Sequence, residues 1–120
     1  MIKLVCFDFD GVFTDGTINI NNDIAYKSYN TKDGFGIKLL HEKNIKTGII
    51  SSFKFKKTNL GNIVNHLNIP YFSEGNCDKL TILNKWKNEL KLEYSEIAYI
   101  GDDISDLEIL SLVGISGCPR

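Results

Sequence analysis

Apolar positions along the chain alternate between two rhythms. Residues 2–7 (IKLVCF) form a short apolar run rich in β-branched and aromatic side chains, which predicts a buried strand. Similar runs recur at 45–50 (IKTGII) and 96–101 (EIAYIG), with a briefer one at the end of 69–72 (IPYF). Between them the period lengthens. Leu60, Ile63, Val64 and Leu67 follow the i, i+3, i+4, i+7 spacing of a helix face, and Leu80, Leu83, Trp86 and Leu90 form a second stripe, predicting a helix over 79–90. A short helix is expected at 35–44, after Asp33-Gly34. Another covers 105–113 (SDLEILSLV), and 114–117 (GISG) begins a fifth strand. Residues 17–29 hold two strand-like runs around an Asn-Asn-Asp turn, the pattern of a β-hairpin. Strands alternating with helices predict an α/β domain with a mainly parallel sheet and helices on both faces.

Composition narrows the class. The 120 residues fit one domain, with no linker, repeat or low-complexity tract, and are enough to bury a core without staples. Fourteen Lys and Arg against fifteen Asp and Glu leave a formal charge of −1, so nothing in the charge calls for nucleic acid or an anionic membrane as partner. No apolar run approaches the roughly 20 residues of a membrane helix. The chain opens directly on a strand-like segment, which predicts no signal peptide. Cys6, Cys77 and Cys118 are odd in number and match no zinc spacing, so reduced thiols in a cytoplasmic protein are expected, with Cys6 in the core.

Chemistry concentrates where strands end. In an open parallel sheet, sites form beyond the carboxyl ends of the strands. Asp8 and Asp10 follow the first strand, Ser51 and Ser52 the second, Lys79 the third, and Asp102, Asp103 and Asp106 the fourth. All these loops open on one edge. Clustered carboxylates repel one another in a poorly hydrated site and call for a cation. Oxygen ligands with no His or Cys beside them suit Mg²⁺ better than Zn²⁺. Lys79 and Ser51 are suited to hold phosphate oxygens, by charge and by hydrogen bond. The set fits phosphoryl transfer, in which catalysis is mostly positioning and charge neutralisation. Two acids at i and i+2 share one face of an extended segment, so one can attack phosphorus while the other moves protons. Gly11 lets the backbone turn sharply and approach the ligand.

The segments DFDGVFTDG (8–16), Ser51 after GII, DKL (78–80) and YIGDDISD (99–106) resemble, in order, the four signature motifs of the haloacid dehalogenase superfamily, over nearly the whole chain. DGVFTDGTINI, KSYNTKDGFGIKLL and VGISGCP resemble its cap-less branch, which includes 3-deoxy-octulosonate 8-phosphate phosphatase, nonulosonate 9-phosphate phosphatase and the C-terminal domain of some CMP-sialate synthetases. The segment NKWKNELKLEYSEIAYIGDDISDLEIL looks most like the sialic-acid members. The resemblance implies a Rossmann-like fold with a hairpin flap after strand one. It implies an Mg²⁺-dependent phosphatase of a small phosphorylated keto-deoxy sugar acid, working through an aspartyl phosphate. Asp8 would be the nucleophile and Asp10 the general acid–base. Mg²⁺ would be bound by Asp8, the backbone carbonyl of Asp10, and Asp102, with Asp103 and Asp106 supporting the metal shell. Ser51 and Lys79 would bind phosphate. In cap-less members the flap packs in a homotetramer and covers a neighbour's site. Two departures stand out. Ser52 and Phe53 replace the Gly and the Arg or Glu that usually follow the motif-two hydroxyl and help choose substrate, and the family's C-terminal tail is expected to be missing after Arg120.

Two other readings compete. A receiver domain has similar length, an acidic pair, a hydroxyl and a lysine, but would put its phospho-acceptor after strand three, where Asp78 lies, and has no hairpin after strand one. A catalytically weak oligomerisation module, as in animal CMP-sialate synthetases, would have altered motif-four acids, whereas Asp102 and Asp103 are intact. Plain structural roles account for the rest. His41 and His66 are expected at the surface, Trp86 in the core, and Lys54, Phe55, Lys56 and Lys57 at a solvated helix start.

Overall fold

A computed structural model describes residues 1–8, 19–21, 24–26, 31–51, 57–58, 60–75, 78–101 and 106–117. Five strands form a parallel sheet: β1 (Leu4–Asp8), β4 (Lys46–Ser51), β6 (Tyr71–Glu74), β7 (Ile97–Ile100) and β8 (Ile115–Gly117), in the spatial order β6-β4-β1-β7-β8. From β1 the chain steps outward to β4 and β6, then returns to lay β7 and β8 on the other side. The order therefore reverses beside β1, where α/β sheets open a crevice for ligands. The receiver reading fails here, because receivers order their strands 2-1-3-4-5 and this sheet runs 3-2-1-4-5.

Alternation along the strands splits the core in two. Val5, Phe7, Ile49 and Ala98 face one way, against Ile37 of α1 (Thr31–Glu42) and Leu60, Ile63 and Val64 of α2 (Leu60–Leu67). Leu4, Cys6, Ile50, Ile97 and Tyr99 face the other, against Leu83 and Trp86 of α3 (Lys79–Glu89) and Ile109 of α4 (Leu107–Leu112). Every residue of β1 is buried, whereas the edge strands β6 and β8 are partly exposed. Gly48 leaves room for the tryptophan: a Cβ there would stand 2.8 Å from Trp86 Cζ3.

The predicted hairpin is present as β2 (Asn19–Asn21) paired antiparallel with β3 (Ile24–Tyr26). An unexpected strand, β5 (Lys57–Thr58), pairs in parallel with β3 and completes a three-stranded sheet. The expected helix start at 54–57 is thus corrected at Lys57. Lys54, Phe55 and Lys56 lie outside the described residues. Helix α1 begins four residues earlier than expected and runs through Gly34 and Gly36. A glycine costs a helix about 1 kcal/mol, and here the burial of Ile37 outweighs that local preference. His66 is exposed as expected. His41 is not a plain surface residue: it is half-buried, and its Nε2 shares a 2.7 Å hydrogen bond with Thr47 Oγ1. Trp86 and Cys6 are core residues, and burial pushes the Cys6 thiol pKa up. Cys77 and Cys118 lie outside the described residues. Among the described residues no helix is long and apolar enough to cross a membrane.

Candidate active site

Register decides which residues meet. Asp8, the last residue of β1, pairs with Ile50 of β4, and Phe7 pairs with Ile100 of β7. The carboxyl end of β1 therefore lies level with Ser51 on one side and with Gly101 on the other. Asp8 continues the Leu4–Cys6 side of the strand, the side that α3 and α4 cover. Both helices begin at this edge, and each contributes a charge.

Lys79 is the first residue of α3, whose start is fixed by Asp78. The Asp78 carboxylate accepts from Thr81 N at 3.2 Å, satisfying a donor that a helix N-terminus leaves open, and from the Thr81 hydroxyl Oγ1 at 2.7 Å. Asp78 is therefore an exposed helix cap, which explains the one acid that the receiver reading needed. With the helix start pinned, the Lys79 side chain runs inward and is 1% exposed. Its Nζ lies 3.0 Å from Asp106 Oδ1 and 3.4 Å from Asp8 Oδ1. Asp106, immediately before α4, is fully buried. The same Oδ1 accepts a 2.6 Å hydrogen bond from the Tyr99 hydroxyl. Ser51 ends β4, also buried, and its carbonyl accepts from Gly75 N at 2.8 Å.

The electrostatics follow from burial. Around Lys79 the described residues put two carboxylates against one ammonium. Burial pushes the Asp8 pKa up to about 7; the Lys79 ammonium pulls it down, and the Asp106 carboxylate adds to the rise. Burial alone would depress the Lys79 ammonium, but the Asp106 hydrogen bond and the charges of Asp8 and Asp106 outweigh it and hold its pKa above the usual value. Burial and then the Asp106 hydrogen bond raise the Tyr99 phenol, so it donates and does not ionise. The surplus negative charge at Asp8 is what a hard divalent cation would neutralise, so the residues present fit Mg²⁺. Among the described residues no three His, Cys, Asp or Glu gather as a complete metal site. Asp10, Asp102 and Asp103, the other acids assigned from the sequence, lie outside the described residues, as do Ser52 and Phe53.

Of the sequence-assigned residues that are described, Asp8, Lys79 and Asp106 are in mutual contact, and Ser51 stands at the same edge on the neighbouring strand. Two participants were missed. Tyr99 looked like one more aromatic in an apolar strand. The available signal was its phenol, because a buried tyrosine hydroxyl usually needs a partner. Gly101 was read only as part of a motif. A Cβ there would stand 2.4 Å from Asp106 Oδ2, so the bare backbone makes the seat for that carboxylate.

Comparison with known proteins gives this edge a context. The sequence pattern of haloacid dehalogenase-like hydrolases matches residues 14–118. The 3-deoxy-D-manno-octulosonate 8-phosphate phosphatase of Yersinia pestis is 34% identical over 116 residues, which is 96% of this chain and 61% of that protein. The chain thus spans about three-fifths of the length of the curated relatives it matches. The crystal structure of the Yersinia pestis phosphatase superposes with a TM-score of 0.90 at 34% identity, over 98% of this chain and 63% of the other. The phosphatase of Moraxella catarrhalis, solved in complex with a magnesium ion, a phosphate ion and a KDO molecule, superposes with a TM-score of 0.87 at 34% identity, over 96% of this chain and 67% of that one. A parallel sheet with an acid ending its central strand, a lysine opening the helix after the third, and likeness in both sequence and structure lead to one assignment: the chain belongs to the haloacid dehalogenase-like hydrolases.

Proposed function

We propose that the chain carries the catalytic core of a Mg²⁺-dependent phosphatase for a small phosphorylated keto-deoxy sugar acid of the 3-deoxy-octulosonate 8-phosphate type. The observation that carries this reading is the buried Asp8–Lys79–Asp106 cluster at the point where the strand order reverses. Likeness to phosphatases of that substrate, one of them holding magnesium, phosphate and KDO, supports the substrate class.

Each residue has a task in the reaction. An Asp8 carboxylate oxygen attacks phosphorus, the bond from phosphorus to the sugar oxygen breaks, and an aspartyl phosphate forms. Asp10 gives its proton to the departing oxygen, then takes one from the water that attacks the aspartyl phosphate, so inorganic phosphate leaves and both acids return to their starting states. Lys79 counters charge on the transferring group, and the Ser51 hydroxyl hydrogen-bonds one of its oxygens. Mg²⁺ bound by Asp8, the Asp10 carbonyl and Asp102 would supply charge neutralisation between nucleophile and phosphate. Asp103 would support that metal shell. Asp106 would support the metal shell as well, and it also pairs with Lys79 at 3.0 Å. The reading includes a cytoplasmic homo-oligomer, a tetramer by resemblance, joined through the hairpin. Light scattering should then find an oligomer at micromolar concentration, and a monomer would remove that part of it.

The test is a screen of purified protein with Mg²⁺ against sugar phosphates that include octulosonate 8-phosphate and nonulosonate 9-phosphate. Turnover should be greatest on a keto-deoxy acid phosphate and fall to background in Asp8→Asn. In Asp10→Asn, acid quenching should trap phosphate on the peptide that holds Asp8. Wild-type turnover in Asp8→Asn, or phosphate trapped on Asp78, would overturn the mechanism.

A further inference from the structure

Lys79 lies between two carboxylates, and what holds it there is not settled by the pair alone. An ammonium has three donors. Among the described residues, Asp106 takes one at 3.0 Å and Asp8 is approached at 3.4 Å. In a buried site an ammonium beside one strongly charged carboxylate is drawn onto it, because the attraction is poorly screened. Collapse onto Asp106 would withdraw Lys79 from Asp8 and from anything bound beside Asp8.

The Tyr99 hydroxyl opposes that collapse. It donates to the same Oδ1 at 2.6 Å, within the range of strong, charge-assisted O–H···O⁻ bonds. The ring is fully buried in the layer shared with Leu83, Trp86 and Ile109, so the phenol is delivered by a rigid strand and packed on every side. With no exposure at Tyr99 or Asp106, water has no ready route to replace a lost hydroxyl. Gly101 completes the seat, since even a methyl group there would meet Asp106 Oδ2 at 2.4 Å. The carboxylate is thus held by β7 from one side and by bare backbone from another, and the lysine is one of at least two donors to Oδ1.

We propose that Tyr99 is a positioning residue for phosphoryl transfer: by sharing Asp106 Oδ1 with Lys79, its hydroxyl keeps the ammonium poised between Asp106 and Asp8, where it meets the transferring phosphoryl group. This rests on the phosphatase reading above. The effect belongs mainly to the transition state. There charge spreads over the equatorial phosphoryl oxygens, and small displacements of a charged partner are costly. Tetrahedral phosphate, as ground-state ligand or product, is less demanding of geometry.

Orthovanadate and inorganic phosphate separate the two states, because vanadate adopts the five-coordinate geometry of the transition state. Their affinities are measured calorimetrically with saturating Mg²⁺ for the wild type and Tyr99→Phe, with thermal unfolding followed in parallel. Tyr99→Phe is expected to weaken vanadate about tenfold while phosphate changes by less than about threefold. A tyrosine that only stabilises the fold would lower Tm and leave the ratio of the two affinities unchanged, which would overturn the proposal. Tyr99→3-fluorotyrosine keeps the hydroxyl, adds one small atom to the ring and makes the phenol a stronger donor, so it tests the role without removing the hydrogen bond. It should shift the ratio about twofold towards vanadate, and no shift, or one in the opposite direction, would also overturn the role of Tyr99. Failure of the wild type to bind either anion would instead remove the phosphatase reading itself, and the proposal with it.

Discussion

Asp8 is the most informative residue to perturb, because fold and chemistry make opposite demands on it. With no metal bound, burial first, and the Asp106 carboxylate after it, raise the Asp8 carboxyl from 3.8 to about 7 despite the Lys79 ammonium. The folded chain therefore keeps a proton on Asp8 between about pH 4 and 7, where the unfolded chain has released it. A group that binds more protons folded than unfolded makes stability fall as pH rises, so the metal-free protein should weaken across that window. A rise of about three units is worth about 4 kcal/mol in full. Allowing for the steps that lie outside pH 5 to 8, and for solvent screening at the mouth of the site, about 1–2 kcal/mol should be lost over that interval. Asp8→Asn keeps the shape, carries no titrating proton and so lacks this term.

The assay is urea unfolding of wild type and Asp8→Asn at pH 5 and pH 8, first in chelator and then with Mg²⁺. In chelator, wild-type stability relative to Asp8→Asn should drop by about 1–2 kcal/mol from pH 5 to pH 8. Saturating Mg²⁺ should offset that drop at pH 8 in the wild type and not in Asp8→Asn, because the ion binds the ionised carboxylate. A concentration of 100 times Kd contributes about 2.7 kcal/mol. A metal-free wild type that gains stability over Asp8→Asn as pH rises would refute the claim that Asp8 is a buried carboxylate with surplus negative charge. An equal Mg²⁺ gain in both proteins would refute its place in the metal site.

Lys79→Met removes the cation shared by Asp8 and Asp106, and should cost about 3 kcal/mol at pH 8 in urea unfolding. The loss should shrink at pH 5, where Asp8 can protonate, and a pH-independent loss would argue against the cluster. Gly48→Ala places a Cβ 2.8 Å from Trp86 Cζ3 and 3.2 Å from Cys6 Sγ, so overpacking should lower stability by about 1–3 kcal/mol; an unchanged unfolding midpoint would contradict the packing. Asp78→Ala should cost about 1 kcal/mol as a lost helix cap, again read by urea unfolding.

What the sequence made legible was whatever side-chain pattern alone decides. β1 announced itself because both its faces are buried, so its residues are almost uniformly apolar. Asp8, Ser51, Lys79 and Asp106 could be placed at one edge because each follows a strand or opens a helix, and a parallel sheet puts all such points on one side. β5 was illegible for the opposite reason. Two residues of a lysine-rich run are held as a strand by the backbone of β3, and backbone pairing leaves no mark on side-chain order. The early start of α1 was hidden because Asp33-Gly34 carries turn chemistry, and only the packing of Ile37 beyond it shows why the helix persists. Tyr99 was hidden because its partner lies seven residues further along the sequence, outside the apolar run that marks the strand.

These gaps share a cause that bears on the site itself. Asp8 sits at the end of the strand with partners on both sides and no exposed face, where the sheet is hardest to distort. A half-neutralised carboxylate is tolerable there because the surrounding core resists the rearrangement that would otherwise relieve it. The same burial that raises its pKa also keeps water from screening a cation or phosphoryl group placed beside it, so the electrostatic cost in the metal-free chain becomes attraction once positive charge arrives. Tyr99 and Gly101 then bear on the site through Asp106. They belong to β7 and the residue that follows it, and they hold the carboxylate that, among the described residues, approaches Lys79 most closely. The acids and the lysine can be read from motif spacing, but the balance that leaves the lysine poised comes from a phenol and a missing side chain, and only their three-dimensional contacts reveal it.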